Sequence, residues 1–225
     1  MRINKYLAWK KYCTRREADV YIEKGLVTLN GKRARLGDQV QETDTVEVRF
    51  KMKKYRYFAY NKPRGIITHS PQEDEQDIRE VFPIDGVFPV GRLDKDSHGL
   101  IILTDDGRLT DKLLNPAETH EKEYIVTTKE KIPAKFKEDM ERGVNIEGYV
   151  TKPAHIKVLG ENKFSITLTE GKKHQIRRMC AALGLVVSDL ERRRIMNLTL
   201  EGLKSGEYRA IEGPELSDLL GALGF

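Results

Sequence analysis

From Tyr57 onward, short β-like runs alternate with helical ones, and several β runs face each other across a turn. Phe58–Asn61, Gly65–Thr68 and Leu100–Thr104 have the composition of strands. Asp105/Asp106 are placed to cap a helix running to about Leu114, stopped by Asn115-Pro116. Tyr124–Thr128 reads as a strand, and Pro133–Arg142 as a helix with proline near its first turn. Ala154–Leu159 and Lys163–Thr169 flank Gly160-Glu161-Asn162 as a hairpin, and His174–Leu183 reads as a helix ended by Gly184. Further strands are expected at Arg194–Leu200 and Glu207–Ile211. Helices and hairpins mixed in this order predict an α+β fold with a largely antiparallel sheet.

The first quarter of the chain is organised differently. Ile3 and Leu7 lie one helical turn apart within residues 2–12. Thr14 and Glu17 form a T-x-x-E capping box that opens a second helix to about Lys24, with Ala18 and Ile22 inward and Gly25 as its stop. Leu26–Leu29 then leads into Asn30-Gly31, a two-residue hairpin signal, and further β signals follow at Gln39-Val40 and Thr45–Phe50. Two helices and a small sheet make one compact unit. The chain therefore divides into a domain at 1–50, a linker at 51–57 and a larger domain at 58–225.

Charge follows the same division. Residues 1–54 hold 14 of the 40 Lys/Arg but only 7 of the 35 Asp/Glu, so the whole basic excess sits in the first quarter of the chain. A basic module on a near-neutral body implies an arm that binds phosphate. No apolar run approaches the ~20 residues that span a bilayer, and the N-terminus lacks an apolar signal core. Cys13 and Cys180 form no framework and the five histidines are scattered. No disulfide, metal or cofactor is expected, and the cytoplasm is the simplest location.

Within the small domain, Tyr6-Leu7, Arg15-Arg16-Glu17-Ala18, Ile22, Gly25, Val27 and Asn30-Gly31-Lys32 resemble the S4 RNA-binding domain. Arg15 and Arg16 open a helix, where side-chain charge and free N–H groups both address phosphate. Lys5, Lys32, Arg33 and Arg35 widen that surface. Structured RNA, gripped by shape and backbone, is the partner this implies.

Gly91-Arg92-Leu93-Asp94-Lys95-Asp96-Ser97-His98-Gly99-Leu100, with the apolar Ile101-Ile102-Leu103 behind it, resembles the signature of the RsuA/RluB/RluE/RluF group of RNA pseudouridine synthases. Asn61-Lys62-Pro63-Arg64-Gly65 upstream matches that group, as do Lys122-Glu123-Tyr124, Gly171–Met179 and Leu203–Arg209 downstream. The resemblance covers essentially the whole chain. Within the group, Gly91–Thr104, His120–Tyr124, Gln175–Cys180 and Glu191–Leu198 are most similar to the RluF type, which acts on large-subunit (23S) rRNA and admits tRNA as a second target.

The resemblance implies a cofactor-free isomerisation of uridine to pseudouridine by a monomer, with Asp94 as the essential carboxylate. Asp94 must be ionised to act as nucleophile or base, and a pocket dry enough for uracil favours its protonated form. Arg177, in the first turn of a helix, is the family-matched counter-charge. Tyr124 is expected to stack beneath the uracil, and Ile176 to pack against it. Arg92 is expected to fill the space left by a flipped nucleotide. Asp96, two residues on, is read as a polar loop residue, and Arg192-Arg193-Arg194 as a cluster that either touches RNA or lies solvated. The acidic block at 69–77 is expected away from the RNA cleft, or to exclude wrong substrates. A small-subunit (16S) rRNA synthase, or a non-catalytic S4-type assembly factor, are the competing readings.

Overall fold

The computed structural model describes residues 1–51, 53–72, 75–115 and 118–225. Helices α1 (Ile3–Trp9) and α2 (Arg15–Glu23) pack on a three-stranded antiparallel sheet of β1 (Val27–Leu29), β2 (Lys32–Arg33) and β3 (Val46–Val48), in the order β2-β1-β3. The capping box forms: the Glu17 N–H donates to Thr14 Oγ1 at 3.2 Å and the Thr14 N–H to Glu17 Oε2 at 2.8 Å. Asn30 and Gly31 both take positive φ, as a two-residue turn matching the strand twist requires. Gln39-Val40 is not a strand; Gln39 makes a lone bridge to Arg2. Ile3, Leu7, Ala18, Ile22, Val27 and Val40 form this unit's core.

The rest of the chain carries β4 (Tyr57–Lys62), α3 (Ile78–Val81), β5 (Phe88–Val90), β6 (His98–Thr104), α4 (Gly107–Leu113) and β7 (Lys122–Thr128). These are followed by α5 (Phe136–Arg142), β8 (Asn145–Ile146), β9 (Tyr149–Val150), β10 (His155–Gly160) and β11 (Lys163–Leu168). The chain continues through α6 (Gln175–Ala182), β12 (Val187–Ile195), β13 (Leu198–Thr199), β14 (Tyr208–Ala210) and α7 (Gly213–Ala222). The main sheet runs β10-β11-β7-β12-β6-β4-β14, with β13 added to β12 and β5 to β6. Every pairing is antiparallel except β12 with β6, which touch only at Glu191↔His98 and Arg192↔Gly99. The fold is α+β as expected, with one short parallel seam at its centre.

That seam divides the apolar interior. On one side Phe136, Met140, Phe164, Ile166 and Met179 pack together. On the other, Leu100, Ile102, Leu109, Leu198 and Leu219 form one cluster, and Tyr60, Ile78, Phe82 and Ile101 another. Tyr124 packs against both sides. Gly99 makes the close approach possible: a Cβ there would sit 2.4 Å from the carbonyl oxygen of Arg192, and its φ is +104°. Only glycine fits.

Several local expectations are corrected. Gly65–Thr68 is a clasp, because its polar groups are spent on a neighbouring loop: the Gly65 N–H donates to the Lys95 carbonyl, and Thr68 Oγ1 donates to the Leu93 carbonyl. The strand expected at Arg194–Leu200 ends instead at Ile195. Met196, at φ +52°, turns the chain so that Leu198 pairs back on Ile195. Helix α5 starts at Phe136, leaving Pro133 in the preceding turn. Asp106 alone caps α4, while Asp105 accepts from the Arg56 backbone and pairs with Lys53. The proposed stop at Pro116 lies outside the described residues, as do Glu73 and Asp74 of the acidic block.

A polar latch joins the small unit to the sheet. Tyr55 donates to Glu17 at 2.5 Å, and Lys53 bridges Glu17 and Asp105. Arg108, held by the buried Asp106, donates to the Lys11 carbonyl at 2.8 Å. The first helices are thereby fixed to the start of α4.

Candidate active site

The loop 91–97 enters β6 directly above the seam. It is clasped from below: Thr68 and Gly65 hold Leu93 and Lys95, and the Ser97 N–H closes a turn on the Asp94 carbonyl. Gly91 starts the loop at φ +79°. Between these fixed points Asp94 stays accessible, its side chain 37% exposed. A carboxylate on a backbone fastened at both ends is positioned in advance for chemistry.

His174, the left-handed residue that precedes α6, brings Nε2 to 3.6 Å from Asp94 Oδ1. Arg177 does not pair with Asp94 in this structure. Its guanidinium donates to Ser97 Oγ at 3.3 Å, the Asp96 carbonyl at 3.4 Å and the Val187 carbonyl at 3.3 Å, so it braces the loop rather than the carboxylate. The register places Ile166, Tyr124, Arg192, Gly99 and Lys62 in one row across β11, β7, β12, β6 and β4. Tyr124 thus stands beside the seam, half-buried. Arg92 is exposed on the loop.

Ile176 does not line the cleft. It is 5% exposed and belongs to the core beside Met179 and Phe164, because neighbouring helix positions point about 100° apart. The triple-arginine run splits three ways. Arg192 is buried at 4% exposure, Arg193 is exposed and pairs with Glu191, and Arg194 is held by Glu121 and Glu123. Strand alternation and the register shift between Arg192 and Arg194 cause the split. The acidic block does not lie apart from the loop: Glu75 pairs with Lys95 at 3.0 Å, and the buried Asp77 caps α3 and pairs with Arg79. Its described carboxylates are neutralised locally.

Two residues had no assigned role in the sequence reading. His174 was visible in the Gly171–Met179 motif, yet only the fold brings it to Asp94. Lys62 is fully buried, and its ammonium donates to the carbonyls of Pro63 and Ile66, both at 2.8 Å. Burial, reinforced by Arg192, lowers its pKa to about 8 against the opposing pull of Asp94 and Asp96. Lys62 stood in the Asn61–Gly65 match, but nothing in a strand of aromatics announces that it is buried.

The chain matches the RNA pseudouridylate synthase family over residues 56–182 and the S4 domain over residues 1–46. It belongs to the S4-bearing RNA pseudouridine synthases. The Escherichia coli K12 protein described as "Dual-specificity RNA pseudouridine synthase RluF" is 46% identical over 97% of this chain and 78% of its own length. The Haemophilus influenzae "Ribosomal small subunit pseudouridine synthase A" is 32% identical, over 98% of this chain and all of its own. A solved pseudouridylate synthase superposes with a TM-score of 0.72 at 30% identity, covering 99% of both chains. The chain is therefore an isomerase acting on RNA and similar to RluF.

The S4 unit carries the basic surface. Lys5, Arg15, Arg16, Lys32, Arg33 and Arg35 are all exposed. Lys32, Arg33 and Arg35 share the wall of a surface hollow of about 680 Å³ with Ile22, Glu23, Ala34 and Leu36. Arg33 is partly committed, since Nη2 donates to the Glu23 carbonyl at the end of α2. Among the described residues, no group of three or more His, Cys, Asp or Glu could hold a metal ion, and no helix is long and apolar enough to cross a membrane. Both cysteines are buried thiols, pushed up to about 12 chiefly by burial.

Proposed function

We propose that this synthase isomerises a specific uridine of large-subunit 23S rRNA, with Asp94 as the essential carboxylate. The observation that carries the reading is the clasped loop, which leaves Asp94 accessible at the end of the seam along which Tyr124 also stands. The N1–C1′ bond of uridine breaks, the uracil turns while held, and C5 bonds to C1′. C5 loses its proton and N1 gains one, so the step needs no oxidant and no imported group.

Tyr124, anchored between both cores, offers a ring against which the uracil stacks. Arg92, exposed on the loop that carries Asp94, is suited to fill the gap a flipped nucleotide leaves. Arg177 braces the loop and approaches the carboxylate when RNA closes the cleft. The S4 surface of Lys5, Arg15, Arg16, Lys32, Arg33 and Arg35 grips backbone phosphates of structured RNA, in a cytoplasmic monomer. Residues 1–50 and 58–225 act as two domains joined by 51–57; their separate cores support that division.

The resemblance of Gly91–Thr104 and Glu191–Leu198 to the RluF type favours large-subunit rRNA, and the dual specificity in that relative's description favours a second RNA, for which tRNA is the candidate. The likeness to the small-subunit enzyme of Haemophilus influenzae keeps 16S rRNA as the second reading. Tritium release from [5-³H]uridine-labelled 23S, 16S and tRNA transcripts tests all three, because the C5 hydrogen must leave during isomerisation. Release from 23S transcripts by wild type and none by Asp94→Asn is expected. Release from 16S alone would replace the substrate, and undiminished release by Asp94→Asn would remove the carboxylate from the mechanism.

A further inference from the structure

Trp9 is the only tryptophan of the chain, and its side chain is 63% exposed. It is not a core residue out of place. Successive helix positions turn by about 100°, so Trp9 stands about 200° from Leu7, which is buried with Ile3 in the core of the small unit. The indole is left on the outer face of α1. A lone exposed aromatic needs no explanation, but this one has company. Tyr6, one turn back, holds its ring centroid 6.0 Å from that of Trp9. Lys10 Nζ lies 4.9 Å from the centroid of Trp9 and 5.9 Å from that of Tyr6.

Charge narrows the kind of partner. Residues 1–16 contain Arg2, Lys5, Lys10, Lys11, Arg15 and Arg16, all exposed, and no Asp or Glu. The first two carboxylates that follow are engaged: Glu17 holds Thr14, Tyr55 and Lys53, and Asp19 accepts from Asn4 at 2.8 Å. Lys11, at φ +64°, turns the chain after α1, and Arg15 and Arg16 then open α2. The same turn touches the synthase unit, because the Lys11 carbonyl accepts from Arg108 at 2.8 Å.

An exposed ring bordered by cations fits a polyanion that carries flat apolar rings of its own, which is the chemistry of nucleic acid. An anionic membrane fits less well. The other large aliphatics of α1 face the core, and a single ring gives little to bury in lipid.

We infer that Trp9 is a base-stacking site: an unpaired base of the RNA lies on its ring, with Lys10 and the Arg15-Arg16 pair taking the flanking phosphates. The inference rests on the reading of the S4 surface as the RNA grip, and adds a contact that phosphate binding lacks. Backbone contacts alone hold paired and unpaired RNA alike. A stacking ring selects RNA that presents a splayed base beside the turn that meets the synthase unit.

Because Trp9 is the only tryptophan, its emission reads the contact directly in the full chain. The probes are an RNA stem-loop with unpaired loop nucleotides and the same stem-loop with abasic loop positions, titrated at low salt. The first quenches Trp9 emission, and the second binds without quenching. Trp9→Ala weakens affinity for the first by about 5- to 100-fold and for the second by less than about twofold. Trp9→Phe keeps most of the affinity, while Trp9→Leu loses it as Trp9→Ala does, which separates stacking from apolar burial. The salt slope is unchanged in all three, because no phosphate contact is removed.

Unquenched emission with the base-bearing loop bound, equal quenching by both stem-loops, or wild-type affinity in Trp9→Ala overturns the inference. Wild-type affinity in Trp9→Leu also overturns it, in favour of an apolar contact. A blue shift on phosphatidylglycerol vesicles without quenching by RNA overturns it in favour of a membrane surface. If a variant does not fold, quenching of the wild type by the two stem-loops decides alone. Loss of affinity in Arg15→Ala/Arg16→Ala but not in Trp9→Ala removes only the stacking site. Wild-type affinity in both removes the reading of the S4 surface beneath it.

Discussion

The two basic regions of this protein use the same side chains under opposite physical conditions. On the S4 unit, Lys5, Arg15, Arg16, Lys32 and Arg35 stand in water, where each charge is cheap to hold and screened by salt. At the seam, Lys62 and Arg192 are sealed in the sheet and bound to carbonyls, where each charge is costly and acts strongly over a short range. The first arrangement suits affinity for any folded RNA backbone. The second suits holding nearby backbone in place. Substitutions in the two regions therefore separate into losses of binding and losses of chemistry.

The largest separation is expected for Asp94→Asn. Tritium release should fall by at least about 10³-fold, the scale seen when a catalytic nucleophile is removed, while a filter-binding isotherm on the same RNA stays within about twofold. A parallel loss of affinity would mean that Asp94 shapes the RNA surface as well as the reaction.

Gly99→Ala attacks the seam itself. Its Cβ meets the backbone of Arg192, which cannot move without parting β12 from β6. Destabilisation of about 3 kcal/mol is expected, seen as a drop of about 6–12 °C in the melting temperature. Release activity should be lost before the S4 unit melts. An unchanged melting temperature would show that the two halves of the sheet tolerate separation.

The double substitution Arg15→Ala/Arg16→Ala should weaken RNA binding by about 10-fold at low salt and flatten the log K against log[salt] slope by about 1–2. The saturated rate should hold. A fall in that rate instead would mean that the S4 surface orients the uridine and does not merely tether RNA.

The smallest effect is expected at the join between the regions. Thr14→Ala removes the cap of α2, costing about 1 kcal/mol. Calorimetry should place that loss in the transition of the S4 unit. If the main transition also moves, the latch of Tyr55, Lys53 and Arg108 makes the two units melt together.

The S4 unit was the more legible region because its signals are local. A capping box, an Asn-Gly turn and helix-spaced aliphatics each act within a few residues, and the structure realises them where they stand. Helix α7 was legible too, through Pro214 at its start and Leu216, Leu219, Leu220 and Leu223 at helical spacing, but the reading stopped short of it. Gly65–Thr68 was misread as a strand because its partners, the loop from Leu93 to Lys95 and residues 76–78, are not strands, and no local pattern records that pairing.

Sequence alone determined the family, the identity of Asp94 and Tyr124 as candidates, the α+β class and the basic character of the first quarter. Each of these is carried by residue type and short spacing. Tertiary structure decided which charges are buried and what they face. Only the pairing of β12 with β6 brings Arg192 to the Asp94 loop, and only its bulged pairing with β7 divides three consecutive arginines among three environments. A buried charge depends on contacts far apart along the chain, and the sequence of one strand does not contain its neighbours.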